Sequence, residues 1–361
     1  MLGACAVEEK KYGLYVKFIA VFMAVVLVLG VAVSLRKPAI EEYKPAMQEN
    51  VIDADFKSII DTGKPESYSS MLGVISTLRS QYSDTLKLFT MGYSTTGKPI
   101  PMLTMGNGVK KALVIGGIHA REHLTTKYIL KCIEDYSFAL ENADGLFYGY
   151  DLKKLFSQYT LYIVPCANPD GLEIVRSAMK PSDKVTIDKL EDYKANYNGV
   201  DLNRNFPLAW EQVDNGIEKP FGYYFKGYES GSEKETQALM RLCEENDFCF
   251  LLSIHIKGNC IFWGDRYNES YNGIYKAFAE DIATPAGLYV TEPTEKPTSY
   301  GGGFENWFRH TYTRPGLCIE LVDNENIINP CTDENYADFE KTVNYEKTKL
   351  VFGAALSSDN K

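Results

Sequence analysis

Apolar and polar residues follow readable periods from about residue 66 to the end of the chain. Met71, Leu72, Ile75 and Leu78 recur at helical spacing, so 68–82 reads as an amphipathic helix. Leu86 to Met91 and Ile100 to Met105 then alternate as strands around Thr96-Gly97, which predicts a hairpin. The run ALVIGGI at 112–118 is continuously apolar, the mark of a strand buried on both faces, and a helical stretch follows at about 124–140. Further buried strands are expected at 161–165, 250–256 and 317–322, with a helix near 233–245 and a closing helix at 338–356. This alternation predicts a single α/β domain, a mixed sheet flanked by helices on both faces, with functional residues at strand ends.

One stretch differs in kind. Residues 18–35 (FIAVFMAVVLVLGVAVSL) carry no charge and are just long enough to cross a hydrocarbon core of about 30 Å as one helix. They read as an N-terminal transmembrane anchor, with a cleaved signal peptide as the alternative, since Ala32-Val33-Ser34 is a passable cleavage site. Lys10, Lys11 and Lys17 precede the run and Arg36 and Lys37 follow it, a slight bias toward a cytoplasmic N-terminus. The expected organisation is therefore 1–17 cytoplasmic, 18–35 anchor or signal, 36–65 a stalk marked by Pro38, Pro45 and Pro65, and 66–361 an extracellular catalytic domain. If the segment is cleaved, the protein is secreted.

Composition narrows the partners. At 361 residues, 45% hydrophobic and 24% charged, the chain buries a full core, and a net charge of −10 argues against a nucleic-acid partner. The oligomeric expectation is a monomer. Of eight cysteines, several sit in apolar strand-like runs and none forms a CxxC pair, so a zinc knuckle is not expected, while one or two disulfides remain open.

The chain has only four histidines, and two fall in His119-Ala120-Arg121-Glu122-His123, directly after the first buried strand. A catalytic zinc takes about three ligands from imidazole and carboxylate and leaves one position for water. His119 and Glu122 supply two candidates, and His255, closing the LLSIH strand, supplies the third. Glu320 lies among apolar residues in Leu317-Cys318-Ile319-Glu320-Leu321, where an unpartnered carboxylate would cost several kcal/mol. A general base beside the metal accounts for it. His119 and His123 could instead be an H-x-x-E-H zinc pair, but that motif needs a helix, and Gly116-Gly117 place His119 at a strand-to-helix turn.

These residues resemble the zinc metallocarboxypeptidases, peptidase family M14, over roughly 66–352. Gly117-Ile118-His119-Ala120-Arg121-Glu122 is similar to the family's zinc motif, Asn168-Pro169-Asp170-Gly171 to its N-P-D-G turn, and Gly199-Val200-Asp201-Leu202-Asn203-Arg204-Asn205 to its G-V-D-x-N-R-N stretch. Ser253-Ile254-His255 and Glu320 complete the order. The resemblance implies a carboxypeptidase-like fold and one Zn2+ held by His119, Glu122 and His255, with Glu320 activating the water at the metal. It implies Asp201 orienting a ligand histidine, Asn203 and Arg204 clamping a substrate carboxylate, and Arg121 lining the cleft.

Departures from the pancreatic members narrow the reading. Lys194, in Tyr193-Lys194-Ala195-Asn196, stands where an oxyanion-stabilising arginine is expected. That lysine, Lys257-Gly258, Phe262-Trp263 and Gly301-Gly302-Gly303-Phe304-Glu305-Asn306-Trp307 resemble the bacterial γ-D-glutamyl-diaminopimelate peptidases, which implies peptidoglycan stem peptides as substrate. Tyr300 lies near the place of a mobile substrate-covering tyrosine, and Glu305 is either a contact for a substrate amine or a solvated loop residue. A general carboxypeptidase on ordinary peptides is the runner-up, and a non-catalytic peptide-binding relative the third reading.

Overall fold

The computed structural model describes residues 56–265, 272–293, 301–323 and 333–359. The 18–35 segment lies outside them, and none of the described helices is long and apolar enough to cross a membrane.

Eight strands form one sheet: β1 Leu86–Tyr93, β2 Pro99–Gly106, β3 Lys110–Ile115, β4 Tyr159–Val164, β5 Phe248–His255, β6 Cys260–Phe262, β7 Tyr289–Val290 and β8 Gly316–Glu320. Their spatial order is β1-β2-β4-β3-β5-β8-β6-β7. The central strands β4, β3, β5 and β8 run parallel, and β2 and β6 pair antiparallel at either side. The sheet is mixed, as the sequence pattern predicts, and Thr96-Gly97 turns the β1–β2 hairpin.

Along β3 the side chains divide between the faces. Ala112 and Val114 join a core built on Tyr68–Gln81, Leu124–Asn142, Asn272–Ala286 and Val351–Ser358; Leu113 and Ile115 join a second core with Lys234–Glu245 and Phe304–Tyr312. Helices thus cover both faces. Because both are covered, the strands carry no polar alternation, which is why they read as continuous apolar runs.

Three local expectations change. The closing helix is broken into Phe339–Thr342, Tyr345–Thr348 and Val351–Ser358, because Asn344 adopts a left-handed conformation at φ 49°. Asparagine tolerates that conformation, and it ends one helical run and starts the next. Residues 56–65, read as stalk, lie against the domain: Ile60 is buried in the core, and Lys127 Nζ donates to the Asp61 carbonyl at 2.7 Å. The helix Phe304–Tyr312, hidden behind its glycine-rich approach, also positions two residues that matter below.

The hairpin and the Lys234–Glu245 helix are tied by a buried acid. Glu235 accepts from the Thr95 N–H at 2.8 Å and from Asn196 Nδ2 at 3.2 Å, and Asn196 Oδ1 accepts from the Val200 N–H at 3.1 Å, which shapes the turn into the Asp201 segment. Burial pushes the Glu235 carboxyl up to about 7 against those hydrogen bonds. A raised acid holds more protons folded than unfolded, so its contribution to stability is present below the unfolded pKa near 4.5 and is lost as pH rises through about 7. Glu235→Gln, which mimics the protonated acid, is expected to remove that dependence and to raise stability at pH 8 by at most about 3 kcal/mol. Urea unfolding of both proteins at pH 4.5 and pH 8 measures it, and an equal loss at both pH values would show that the acid is ionised in the fold at no penalty.

Candidate active site

Three strand ends converge. β3 runs into Gly116-Gly117-Ile118-His119, β5 ends at His255, and β8 ends at Glu320, which pairs in register with His255 on the adjacent parallel strand. Gly117 has φ +58°, and a Cβ there would lie 3.0 Å from the Cys166 Cα, so only glycine turns the chain from strand into the metal-binding loop at this point. Asn168 fastens that loop. Its Nδ2 donates to the carbonyls of Ile118 at 3.2 Å and Ala195 at 3.1 Å, while its Oδ1 accepts from the Gly171 N–H at 2.9 Å and caps the helix Pro169–Val175.

The two imidazoles share one carboxylate. His119 Nδ1 lies 2.8 Å from Glu122 Oε1, and His255 Nδ1 lies 3.0 Å from Glu122 Oε2. Ligand atoms of all three residues fall within 4.8 Å of one another, and all three are buried. The outer nitrogens meet two more acids. His119 Nε2 is 3.2 Å from Asp201 Oδ1, an ion-pair contact short of hydrogen-bond angle, and His255 Nε2 is 3.1 Å from Glu305 Oε1 and 2.9 Å from Ser253 Oγ.

This donor set fits a divalent cation. Buried carboxylates around two imidazoles are an uncompensated concentration of negative charge, and two nitrogens and a carboxylate converging with their outer atoms held are the usual surroundings of zinc. In the bare protein the compensation falls on protons. Burial alone would lower His255, yet the bonds from Glu122 and Glu305 raise its pKa well above the ordinary value. Burial alone would raise Glu122 and Glu305, yet the imidazoles hold Glu122 well below the usual range and Glu305 at about 2.

Glu320 is the exception among these acids. Burial, with Glu122 and Glu305 adding to it, pushes its carboxyl up to about 8 against His255 and Lys194. Its Oε2 is buried with no hydrogen-bond partner among the described residues. A half-buried acid with a raised pKa and a buried, unpartnered oxygen beside a candidate metal-ligand cluster suits proton transfer.

His119, His255, Glu320, Lys194, Asn203 and Arg204 line one cavity. Asn203 Oδ1 accepts from the Phe304 N–H at 2.7 Å, which turns its amide Nδ2 to the other side. Arg204 follows on the same 3-10 turn, with its Nη1 donating to the Asn203 carbonyl at 2.6 Å. Gly302 lets this segment approach: at φ +72°, a Cβ would meet the Arg204 carbonyl at 2.2 Å. Lys194 is buried, its Nζ 5.1 Å from the Tyr224 ring centre.

A scan against family profiles matches residues 71–344 to the zinc carboxypeptidases of peptidase family M14. The chain belongs to this family. The family is zinc-dependent, and His119, Glu122 and His255 form a group able to hold the ion. Among curated relatives, γ-D-glutamyl-L-diamino acid endopeptidase 1 of Lysinibacillus sphaericus is 31% identical over 270 residues, 72% of this chain and 66% of that protein. Murein peptide amidase A of Escherichia coli K12 is 31% identical over 147 residues, 39% of this chain and 51% of that protein. The chain thus spans just under two thirds of the first relative's length. Among solved structures, bovine thrombin-activatable fibrinolysis inhibitor aligns at TM-score 0.64 and 16% identity over 83% of this chain and 99% of that one, a likeness of fold.

The structure brings together His119, Glu122, His255, Glu320, Asp201, Lys194, Asn203 and Arg204. Arg121 is the exception. It is not in the cavity wall, and its Nη1 turns to Asp192, 3.4 Å from the carbonyl and 3.7 Å from the carboxylate. Tyr300 lies outside the described residues. His123, the alternative ligand, is buried elsewhere with its Nδ1 2.5 Å from Tyr336 Oη. The six described cysteines are all free thiols. Glu305 is not a solvated loop residue: it is 4% exposed, on a helix, bonded to His255, and part of the cavity wall.

Glu305→Gln is expected to weaken zinc binding by about 10–100-fold, because an amide can donate as well as accept, so it fixes the His255 tautomer less firmly, and it brings no charge to the ring. Competition with a chromogenic chelator measures it on protein shown to be folded by circular dichroism. Unchanged affinity would reduce Glu305 to a packing residue.

Proposed function

We propose that this protein is a zinc-dependent peptidase that hydrolyses an amide bond close to a substrate carboxylate, acting on peptidoglycan stem peptides at the γ-D-glutamyl-diaminopimelate bond. The observation that carries the hydrolytic reading is the half-buried Glu320 carboxyl, raised and with a buried, unpartnered oxygen, sharing a cavity with His119 and His255 of the His119–Glu122–His255 cluster. The substrate class is supported by the endopeptidase and the murein amidase among the relatives.

His119, Glu122 and His255 would hold the ion, which polarises the scissile carbonyl and lowers the pKa of water when bound. Glu320 takes the proton from the attacking water and returns it to the departing amine. The Lys194 ammonium faces the charge that develops on the carbonyl oxygen, as a point charge rather than a guanidinium fork. Asn203 Nδ2 and the Arg204 guanidinium hold the substrate carboxylate and so fix the distance from it to the bond cut.

We propose further that the enzyme acts outside the cell membrane, anchored through 18–35, where wall peptides are met; the runner-up substrate is an ordinary peptide C-terminus. Full-length protein is expected to fractionate with membranes and resist carbonate extraction, and recovery in the soluble fraction would overturn the anchor. With zinc and detergent, it is expected to release diaminopimelate from L-Ala-γ-D-Glu-meso-diaminopimelate, as followed by mass spectrometry. Glu320→Gln is expected to lose roughly 10²–10⁴-fold in rate with its zinc content unchanged. Trimming of ordinary peptides alone would move the assignment to a general carboxypeptidase. Zinc binding without cleavage of either substrate would make the protein a peptide binder.

A further inference from the structure

The cavity continues past the metal cluster along β8. Residues 320, 318 and 316 follow one another on one side of the strand, and Glu320 and Cys318 both line the cavity. β6 pairs with Cys318 to Glu320, and beyond Phe262 the edge of β8 has no strand partner among the described residues. Arg309 fills that edge: its Nη1 donates to the Gly316 carbonyl, and the side chain forms part of the cavity wall with Phe262, Gly264 and Asn306. From Glu320 to Gly316 is about 13 Å along the strand, enough for an extended side chain of lysine length.

Arg309 is 3% exposed, and its Nε–H is buried with no acceptor among the described residues. Asp265 accepts from Nη2 at 3.2 Å but is not in the cavity wall; it also meets His310 Nε2 at 2.9 Å. Asn306 Oδ1 accepts from Nη2 as well. The guanidinium is thus held by Asp265, Asn306 and the Gly316 carbonyl, and Arg309 shares the cavity wall with Glu320 and with Glu305, which is bonded to His255. The helix reaches this position only because Gly316 has no side chain: a Cβ there would lie 2.8 Å from the Glu305 carbonyl and 3.3 Å from the Arg309 Cγ.

We propose that Arg309 is a specificity-determining residue that selects a departing residue whose side chain ends in a carboxylate. It thereby distinguishes meso-diaminopimelate from lysine, which has the same length of chain and a bare ammonium at its end. The inference rests on the peptidoglycan reading given above and specifies it. With the substrate's α-carboxylate on Asn203 and Arg204, the side chain has the β8 edge to run along, and its terminal carboxylate pairs with the guanidinium. A lysine ammonium in that place would face the Arg309 guanidinium, a like charge, and would bring no carboxylate to pair with it.

Full-length zinc-loaded protein in detergent tests this with L-Ala-γ-D-Glu-meso-diaminopimelate against the same peptide ending in L-lysine. The native enzyme is expected to prefer diaminopimelate by at least roughly tenfold in kcat/KM, mostly through KM. Arg309→Met should abolish the preference by slowing the diaminopimelate peptide alone, and Arg309→Lys should keep part of it. Binding of free meso-diaminopimelate and free lysine to the native protein, by calorimetry, gives a readout that needs neither turnover nor a folded variant, and tighter binding of diaminopimelate is expected. Equal cleavage and equal binding, or a preference for lysine, would overturn the role of Arg309 while leaving the peptidase reading intact. Binding of diaminopimelate without cleavage of either peptide would overturn the peptidase reading and keep the pocket.

Discussion

Glu122 gives one oxygen to each of two imidazoles, and that sharing places demands on the rest of the fold. His119 and His255 come from different strands, so both Nδ1 atoms reach a single carboxylate only if β3 and β5 are parallel neighbours ending at the same level. The chain must also turn sharply after β3, which Gly117 allows, and stay turned, which Asn168 enforces through two carbonyls. Asp201 and Glu305 then take up the far nitrogens. Each demand concerns backbone placement. A buried charge cluster tolerates little misplacement, because a charge left without its partner inside a protein costs about 3–5 kcal/mol.

The candidate site residues were legible because the sheet is legible. A strand buried on both faces carries few polar residues along its length and no charged ones without a partner, so a histidine or glutamate at its end stands out from an apolar run, as His119, His255 and Glu320 do. Glu305 escaped because its helix did: Gly301-Gly302-Gly303 reads as a loop, and only the structure shows that those glycines bring the chain against Arg204 before a helix begins. On that helix Glu305 and Arg309 are four residues apart and face the same strand. Read as a loop, the two have no relation. Read as a helix, one holds a metal ligand and the other closes the cavity beyond it.

The remaining misreadings have a different cause. A helical period through 338–356 does not reveal that Asn344 will take a left-handed conformation, since a single residue's backbone angles leave the apolar spacing unchanged. Polar composition made 56–65 look like linker, yet Ile60 is enough to seat the segment, and Asp61 and Glu66 meet Lys127, itself buried. Arg121 matched a motif by position while its side chain answered to Asp192. Motif position constrains the backbone; a long side chain goes where its charge is balanced.

The same distinction governs what the net charge can say. A formal charge of −10 disfavours long anionic polymers, whose many phosphates meet the whole surface at once. It does not govern a short peptide in a cavity. Surface charges are screened over about 8 Å at physiological ionic strength, whereas a carboxylate inside the cavity meets the guanidinium beside it at far lower effective dielectric. Lys194, Arg204 and Arg309 all line that cavity, and Asn203 adds an amide donor. An acidic protein thus encloses a cavity whose wall, among the described residues, carries three of the chain's 38 Lys and Arg side chains. Local placement rather than total charge decides which anion is accepted, which is why a count over the sequence excluded one partner class and was silent on the other.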